Sequence, residues 1–179
     1  MDIWFWSDAH FGHKRIIDYL HRPFSTLEQM DSTLINNFNS RVKENDLTFF
    51  LGDFCLAYSP KEAPDAPKHA FEYYRNKLIC KNIIFIQGNH CKKNGVKTCI
   101  QSMVIDYGGH RIFLTHNPKY AQEKYFFNFC GHRHGKDGIF TKLTYKSTIV
   151  DLSVENWNYF PVSYNEIWQR FSLWKKENQ

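Results

Sequence analysis

Residues 3–14 of the sequence read IWFWSDAHFGHK and change abruptly from apolar to polar side chains. The opening run of bulky apolar residues predicts a short buried strand over Asp2–Trp6. Asp8 and His10 follow directly after that strand, two positions apart. On an extended backbone, side chains at this spacing point to the same face. The stretch therefore predicts that a carboxylate and an imidazole emerge side by side at the end of a strand.

The same change from an apolar run to a polar side chain occurs four more times along the chain. The positions are Asp53 after Leu51, Asn89 after Ile86, His116 after Leu114 and His132 after Phe129. His134 lies two positions after His132, which is the same spacing as that of Asp8 and His10. In α/β folds the carboxyl ends of the strands form the functional crevice, so we expect these side chains to converge there. A glycine precedes three of the turns and should let the backbone bend tightly: Gly52, Gly88 and Gly131.

The ligand set combines carboxylate, imidazole and amide groups, at Asp8, His10, Asp53, Asn89, His116, His132 and His134. Imidazole binds Zn, Fe, Ni and Cu well, and carboxylate and amide oxygens suit Mn and Mg. No cysteine stands at these positions, which argues against a thiolate-rich structural zinc site. Each motif alone is weak, because Asp-x-His is often a surface pair and Gly-Asp is often a plain turn. Their joint occurrence in this order indicates a metal centre.

The remaining pattern predicts strands that alternate with helices, followed by a second half rich in hairpins. Helices are expected at Lys14–Leu20, from a capping box at Ser25–Glu28 to about Val42, at Lys68–Leu78 and at Tyr164–Lys175. Further strands are expected at Leu47–Leu51, Asn82–Ile86, Met103–Tyr107, Arg111–Thr115 and Tyr125–Phe129, with two more within residues 139–152. Irregular loops are expected at residues 55–68 and at Lys92–Gly95. The order implies a layered α/β fold with mixed sheets, in one domain over residues 1–179.

The net charge of +5 is unevenly distributed, with −3 over residues 1–60, +9 over residues 61–150 and −1 over residues 151–179. The basic middle suits an anionic partner, although ordinary solvated lysines are the simpler explanation of charge alone. No apolar run approaches the ~20 residues that span a bilayer. The five scattered cysteines without a C-x-x-C motif indicate reduced thiols rather than a disulfide framework. We expect a cytoplasmic protein without a cleaved signal peptide, a membrane partner or an obligate protein partner.

The motifs together strongly resemble the calcineurin-like metallophosphoesterase superfamily. They are Asp8-x-His10, Gly52-Asp53, Gly88-Asn89-His90, the lone His116 and Gly131-His132-x-His134. The SDAHFGH opening and the segment at Arg22 are similar to a small bacterial and phage branch. The resemblance implies a four-layer α/β/β/α sandwich with two stacked mixed sheets. It also implies two metal ions, one held by Asp8, His10, Asp53 and His134 and the other by Asp53, Asn89, His116 and His132, with Mn expected first and Fe, Zn or Ni as alternatives.

The activity that the resemblance implies is hydrolysis of a nucleotide or nucleic-acid type phosphodiester by a metal-bridging hydroxide. His90 would be the catalytic histidine that contacts the phosphate and assists the leaving group. Phosphomonoester hydrolysis is the main alternative, and a non-catalytic protein-binding scaffold is a minor one because no ligand is lost. Cys91 replaces the acid that usually follows this histidine, and both a packing role and redox sensitivity stay open.

A few residues outside the ligand set are candidates to contact the substrate. His13, Arg22 and Arg133 are placed to bind its phosphate, since arginine suits bidentate phosphate contacts. A helix-terminal role for His13 and surface or salt-bridge roles for the arginines fit equally well. Lys119-Tyr120 and Lys124-Tyr125 alternate charge and aromatic rings, a pattern that can stack a base and hold its phosphate. A loop that enters a buried strand is the preferred interpretation of both.

Overall fold

Two mixed β-sheets form the centre of the protein, in a computed structural model that describes residues 1–61 and 64–178. Within those ranges the strands are β1 Ile3–Trp6, β2 Leu47–Phe50, β3 Asn82–Phe85, β4 Ser102–Tyr107, β5 His110–Thr115, β6 Phe127–Cys130, β7 Phe140–Lys142, β8 Thr148–Asp151 and β9 Val162–Ser163. The α-helices are α1 Arg15–Tyr19, α2 Leu27–Arg41, α3 Ala70–Arg75 and α4 Tyr164–Glu177. Short 3-10 helices form at Cys91–Asn94, Pro118–Tyr120 and Val154–Trp157.

The first sheet has the strand order β3-β2-β1-β9. Strands β1, β2 and β3 are parallel, and β9 runs antiparallel to β1. The carboxyl ends of the three parallel strands therefore lie at one edge. Asp8, Asp53 and Asn89 emerge from the chain just beyond that edge.

The second sheet has the order β4-β5-β6-β8-β7, with β5, β6 and β8 parallel and the two outer strands antiparallel to their neighbours. His116 follows β5 and His132 follows β6. An isolated parallel bridge between Ser7 and Ser153 joins the ends of β1 and β8, so the functional edges of the two sheets meet. Two mixed sheets flanked by helices confirm the predicted α/β architecture.

Strands β1 and β2 carry apolar side chains on both faces of the sheet. Alternate side chains of a strand point in opposite directions, so each of these strands contributes to two apolar clusters. Trp6 and Phe50 face the helices α1, α2 and α3 in one apolar cluster. Phe5 belongs to a second cluster between the sheets, where its ring meets that of Phe129 edge-on at 4.9 Å. Helix α4 contributes Phe171 to this second cluster. This double burial explains why these strands are continuous apolar runs in the sequence.

Several local details differ from the sequence-based prediction. The cap of α2 is Thr26, one residue later than expected, and its hydroxyl accepts the N–H of Gln29 at 3.1 Å. Gln29 in turn accepts the N–H of Ser25 through its side chain at 2.7 Å. The predicted loop at Lys92–Gly95 is largely a 3-10 helix, and the two-residue strand β9 was not predicted because two residues carry no periodicity. Helix α2 ends at Arg41, as expected.

The proline-rich segment at residues 55–68 is irregular where it is described, apart from an isolated bridge between Phe11 and Cys55. Its residues 62 and 63 lie outside the described residues. Across residues 1–61 and 64–178, none of the helices has the length and apolar character needed to cross a bilayer.

Candidate metal centre

Two groups of potential metal ligands form where the sheet edges meet. The first contains Asp8, His10 and His134, and the second contains Asp53, His116 and His132. Within each group the potential ligand atoms all lie within 4.8 Å of one another. Six of the seven side chains predicted to be ligands are thus brought together from four different loops.

Asp53 lies between the two groups. Its Oδ2 atom is 3.3 Å from Nε2 of His116 and 4.0 Å from Nε2 of His10. Its Oδ1 atom accepts the backbone N–H of His90 at 3.0 Å. One oxygen therefore faces both groups, which is the position that a bridging carboxylate requires, and the other fixes the loop after β3.

Asn89, the seventh predicted ligand, adjoins the second group. Its side-chain nitrogen lies 3.0 Å from Nδ1 of His132. A rotation of the amide by 180° would present its oxygen at the same point, and that oxygen is the atom able to bind a cation.

Three ligand atoms are buried without a hydrogen-bond partner among the described residues. They are Oδ1 of Asp8, Nε2 of His10 and Nε2 of His116. A buried polar atom left without a partner costs about 1–3 kcal/mol. Oδ1 of Asp8 lies 3.8 Å from Nε2 of His10 and 3.6 Å from Nε2 of His134, so these atoms face a common point. A divalent cation there would satisfy them, and the residues present fit such an ion.

The backbone at the centre is left-handed at most of the ligands. Positive φ angles between 51° and 72° occur at Asp8, His10, Asp53, His132 and His134. Such angles are uncommon for residues other than glycine and cluster at functional sites. The expectation of an extended backbone at the two ligand pairs was therefore wrong. Turns, rather than the alternation of a strand, aim both members of each pair at the centre.

The three glycines before the ligands serve two different purposes. Gly52 has a φ of 97°, which fits the tight turn that was expected. Gly88 and Gly131 do not have positive φ angles. A Cβ atom at Gly88 would instead lie 2.3 Å from Oδ1 of Asp53, and one at Gly131 would lie 2.0 Å from Oγ of Ser7. Close approach to the ligand loops, rather than a turn, requires these two glycines.

Polar groups around the centre hold the ligands in place. Asp8 accepts hydrogen bonds through Oδ2 from the backbone N–H of His132 at 2.9 Å and from the hydroxyl of Ser153 at 3.2 Å. Nδ1 of His116 lies 2.7 Å from the carbonyl oxygen of Leu51. Such partners fix the ring orientation of a metal-binding histidine and leave Nε2 directed at the ion.

Arg22, which is buried, and Glu155, which is partly buried, form an ion pair behind the first ligand group. Oε1 of Glu155 lies 3.2 Å from Nδ1 of His134 and accepts a hydrogen bond from Nη2 of Arg22 at 2.7 Å. The same guanidinium donates to the carbonyl oxygens of Asp8 at 2.8 Å and Ala9 at 2.9 Å. Sequence analysis missed Glu155, because it stands in a short aromatic connection that no motif marks.

The candidate substrate-binding arginines have partners within the protein. Arg22 is only 4% exposed, so the alternative salt-bridge role replaces its predicted contact with substrate. Arg133 is exposed and pairs with Asp137, with Nε to Oδ2 at 2.6 Å. Its salt-bridge role is therefore seen as well, and a contact with substrate would have to displace Asp137.

Two further histidines lie beside the ligand groups. Both ring nitrogens of His13 are buried without a hydrogen-bond partner in the described part of the chain, and its ring centroid is 5.6 Å from that of His10. Burial, reinforced by the charges of His10 and His90, lowers the pKa of His13 to about 3, so it is a neutral donor or acceptor. His90 is exposed, with its ring centroid 6.0 Å from that of His10. Its predicted role as a catalytic group outside the ligand set stays a prediction.

Cys91 is buried, and its sulfur accepts the backbone N–H of Gly88 at 3.1 Å. Burial raises the pKa of the thiol. The position of Cys91 thus supports the packing role, because an inert buried thiol is a poor redox sensor.

The electrostatics of the centre favour a cation. Burial disfavours the charge of Asp8, but His10, His116 and His134 more than offset this and hold its pKa below the ordinary value. Burial also opposes protonation of His116, yet its contact with Asp53 and the charge of Asp8 raise its pKa to about 9. The two carboxylates thus attract positive charge to the point where the predicted ions would bind.

Comparisons of sequence and of structure identify proteins that are similar to this chain. An uncharacterized protein, MJ1445 of Methanocaldococcus jannaschii, is 38% identical over 163 residues, which cover 88% of this chain and 84% of that protein. The structure of AQ665 of Aquifex aeolicus, a protein of unknown function, matches with a TM-score of 0.66 and 20% identity over 94% of this chain and 98% of that one. YfcE, a phosphoesterase from E. coli, aligns at a TM-score of 0.49 and 17% identity over 92% of this chain and 82% of that one. No protein-family model matches the chain.

Proposed function

We propose that this chain, which belongs to the same family as MJ1445, is a calcineurin-like metallophosphoesterase and acts as a metal-dependent phosphodiesterase on a nucleotide or nucleic-acid type substrate. The observation that carries this proposal is the position of Asp53, whose Oδ2 atom lies between His10 and His116. A carboxylate that faces two groups of histidines fits a pair of metal ions better than a single one.

In this proposal Asp8, His10, Asp53 and His134 hold one ion, and Asp53, Asn89, His116 and His132 hold the other. Two such ions would bind the phosphate oxygens and make a water molecule nucleophilic at neutral pH. His90 would donate a proton to the leaving oxygen, because histidine is the side chain that most often serves as a general acid. Its backbone bond to Asp53 fixes it next to the centre. His13, which is neutral, offers an uncharged hydrogen bond to the phosphate.

The proposed metal is chosen from the ligand chemistry. Four imidazoles, two carboxylates and an amide form a mixed set that suits Mn, and Fe, Zn or Ni are the alternatives. A cytoplasmic location is part of the proposal, since scattered cysteines stay reduced in a reducing compartment.

A diester is preferred over a monoester because its phosphate carries a second organic group that needs space. A cleft of about 580 Å³ opens beside Asn89 and His116 and offers this space. Hydrolysis of phosphomonoesters is the alternative, in which the single organic group of the substrate would occupy this cleft.

The proposal is tested by metal analysis together with hydrolysis of bis(p-nitrophenyl) phosphate and p-nitrophenyl phosphate. We expect two ions per chain, Mn-dependent turnover and a preference for the diester. Asp53→Asn should lose both ions and activity, because this side chain faces both groups. Asp106→Asn, an exposed site on β4, is the matched control and should behave as the parent protein.

Three outcomes contradict parts of the proposal. Asp53→Asn that binds two ions and keeps full activity would refute the bridging assignment. Turnover of the monoester alone would favour the phosphatase alternative. A protein that binds two ions but hydrolyses neither ester would favour the scaffold alternative.

A further inference from the structure

We infer that the cleft beside the second ligand group binds one nucleoside of the substrate, an inference that rests on the proposed function. This side cleft is lined by Asn89, His116, Gln87, Gln101, Gln122 and Tyr120, among other residues. Its volume of about 580 Å³ lies within the range of roughly 300–1,000 Å³ that is usual for small-molecule sites. Asn89 and His116 are also candidate ligands, so a group bound here is next to the phosphate.

The three glutamine side chains of the side cleft are available for a ligand. Those of Gln87, Gln101 and Gln122 make no hydrogen bond to any residue that the structure describes. Their backbones are nevertheless fixed at two of the three positions. The N–H of Gln87 donates to the carbonyl oxygen of Ile100 at 2.7 Å, and that of Gln122 donates to the side chain of Asn128 at 2.7 Å.

Neutral amides indicate the chemistry of the ligand. Each amide offers both donors and an acceptor, and this combination matches the edge of a nucleobase, as in glutamine–adenine pairs. Among the described residues that line the side cleft there is no carboxylate, and Lys92 contributes a positive charge. The lining thus accommodates an anionic substrate while its amides are suited to a base rather than to a second phosphate.

Tyr120 provides an aromatic surface at the side cleft. It lies in the 3-10 helix Pro118–Tyr120, which Asn117 caps by accepting the N–H of Lys119 at 3.0 Å. The residue is 58% exposed, and Nζ of Lys119 lies 4.8 Å from the centroid of its ring. An exposed ring in a fixed turn is a surface on which a base can stack.

The second lysine–tyrosine pair has a different environment. Tyr125 stacks on the buried ring of Phe113, with centroids 5.3 Å apart and planes within 4°. The Lys124-Tyr125 pair is therefore part of a loop that enters a buried strand, which was the preferred interpretation of its sequence. Only the pair at Tyr120 keeps the alternative of base stacking, which was the less favoured interpretation of the sequence.

A larger groove of about 990 Å³ lies elsewhere, along the start of α2, and does not include any of the predicted ligands. Its lining contains the carboxylates of Glu28, Asp31 and Asp65 beside Lys14 and Lys77, so it lacks the excess of positive charge that would attract an anionic substrate. The smaller side cleft is therefore the better site for a nucleotide.

The test compares two esters that share one leaving group, the p-nitrophenyl ester of thymidine 5′-monophosphate and bis(p-nitrophenyl) phosphate. We expect Tyr120→Ala to lower the ratio of kcat/KM for the nucleotide ester to that for the small diester by about tenfold, within the range of base stacking. Tyr145→Ala is the matched control. Tyr145 is 81% exposed and has Nζ of Lys146 at 5.0 Å from its ring centroid, but it does not line the side cleft.

Binding is measured in parallel, with thymidine 5′-monophosphate and adenosine 5′-monophosphate titrated into the Mn-loaded protein. Tyr120→Ala should weaken binding of at least one of them about tenfold, again by loss of stacking, and Tyr145→Ala should not. An unchanged kcat/KM ratio with unchanged binding, or equal losses on both esters, would overturn the inference. If neither ester is hydrolysed by the parent protein, the proposed function fails, and the binding result alone decides whether the side cleft takes a nucleoside.

Discussion

Replacing Arg22 by methionine tests whether the buried pair with Glu155 supports the metal centre. The guanidinium pairs with Glu155, which lies 133 positions later in the sequence and contacts His134, and it also donates to the backbone carbonyl oxygen of Asp8. Methionine fills similar space but leaves the carboxylate of Glu155 without its cationic partner. Breaking a buried ion pair in this way costs about 3–5 kcal/mol. For a chain of this length that corresponds to a fall in Tm of roughly 6–20 °C.

The same change should weaken metal binding, because the backbone turn at Asp8 loses two hydrogen bonds to its carbonyl groups. Loss of such supporting contacts typically costs about 10–100-fold in metal affinity. Unfolding by urea in the presence of a chelator isolates the effect on the fold, and calorimetric titration with Mn measures the affinity.

Arg41→Met is the matched control for this experiment. Its pair with Glu166 has a similar separation of 2.8 Å, but the two side chains are 35% and 39% exposed, so it should contribute only about 0–1 kcal/mol. The double variant Arg22→Met/Glu155→Leu should recover stability relative to Arg22→Met, since it removes the unpaired charge. An Arg22→Met protein with parental stability and metal affinity but lost activity would refute this reasoning and restore Arg22 as a substrate ligand.

Four further predictions follow from the site and its surroundings. His90→Ala should keep both ions but lose rate by about 10²–10⁴-fold, the range of general acid–base groups; His90 found on a metal in a crystal structure would contradict this role. Cys91→Asp should keep similar or modestly higher activity, and abolished turnover with an intact fold would show that the thiol itself matters. The kcat/KM for a nucleotide substrate should fall with added salt more than that for a small diester, because the basic residues 61–150 attract the additional charge; equal salt dependence would argue against it. Burial, only partly offset by the hydrogen bonds from Tyr74 and Gly12, raises the pKa of Asp31 to about 6 from 3.8. The folded state binds this proton more tightly than the unfolded chain does. Protonation of Asp31 therefore stabilises the fold fully below pH 3.8, and this stabilisation is lost as the pH rises through 6. The free energy of unfolding of Asp31→Asn, measured with a chemical denaturant, should lack this change with pH and should be larger at pH 7 than that of the parent protein.

Much of the fold and of the candidate site was accessible from local sequence. The first ligand of each loop follows an apolar run by two or three positions, and the parallel pairing of β1 with β2 and β2 with β3 then brings the strand ends to one edge. The hairpin of β4 and β5 was predicted because Gly108 and Gly109 separate two apolar runs. The capping box was displaced by one residue, since Ser25 and Thr26 are both good caps and the sequence does not choose between them.

The sequence by itself determined which side chains meet at the end of the sheets, because a strand and the turn after it are local features that leave a local pattern. Only the tertiary structure decided how they are held there. The left-handed turns at the ligands, the close approach of Gly131 to Ser7, and the pair of Arg22 with Glu155 depend on segments that are distant along the chain. No spacing rule encodes such contacts, since their geometry is set by the packing of whole sheets against one another. The side cleft has the same origin, because it exists only where the ends of β3 and β5 and the segment around Tyr120 come together.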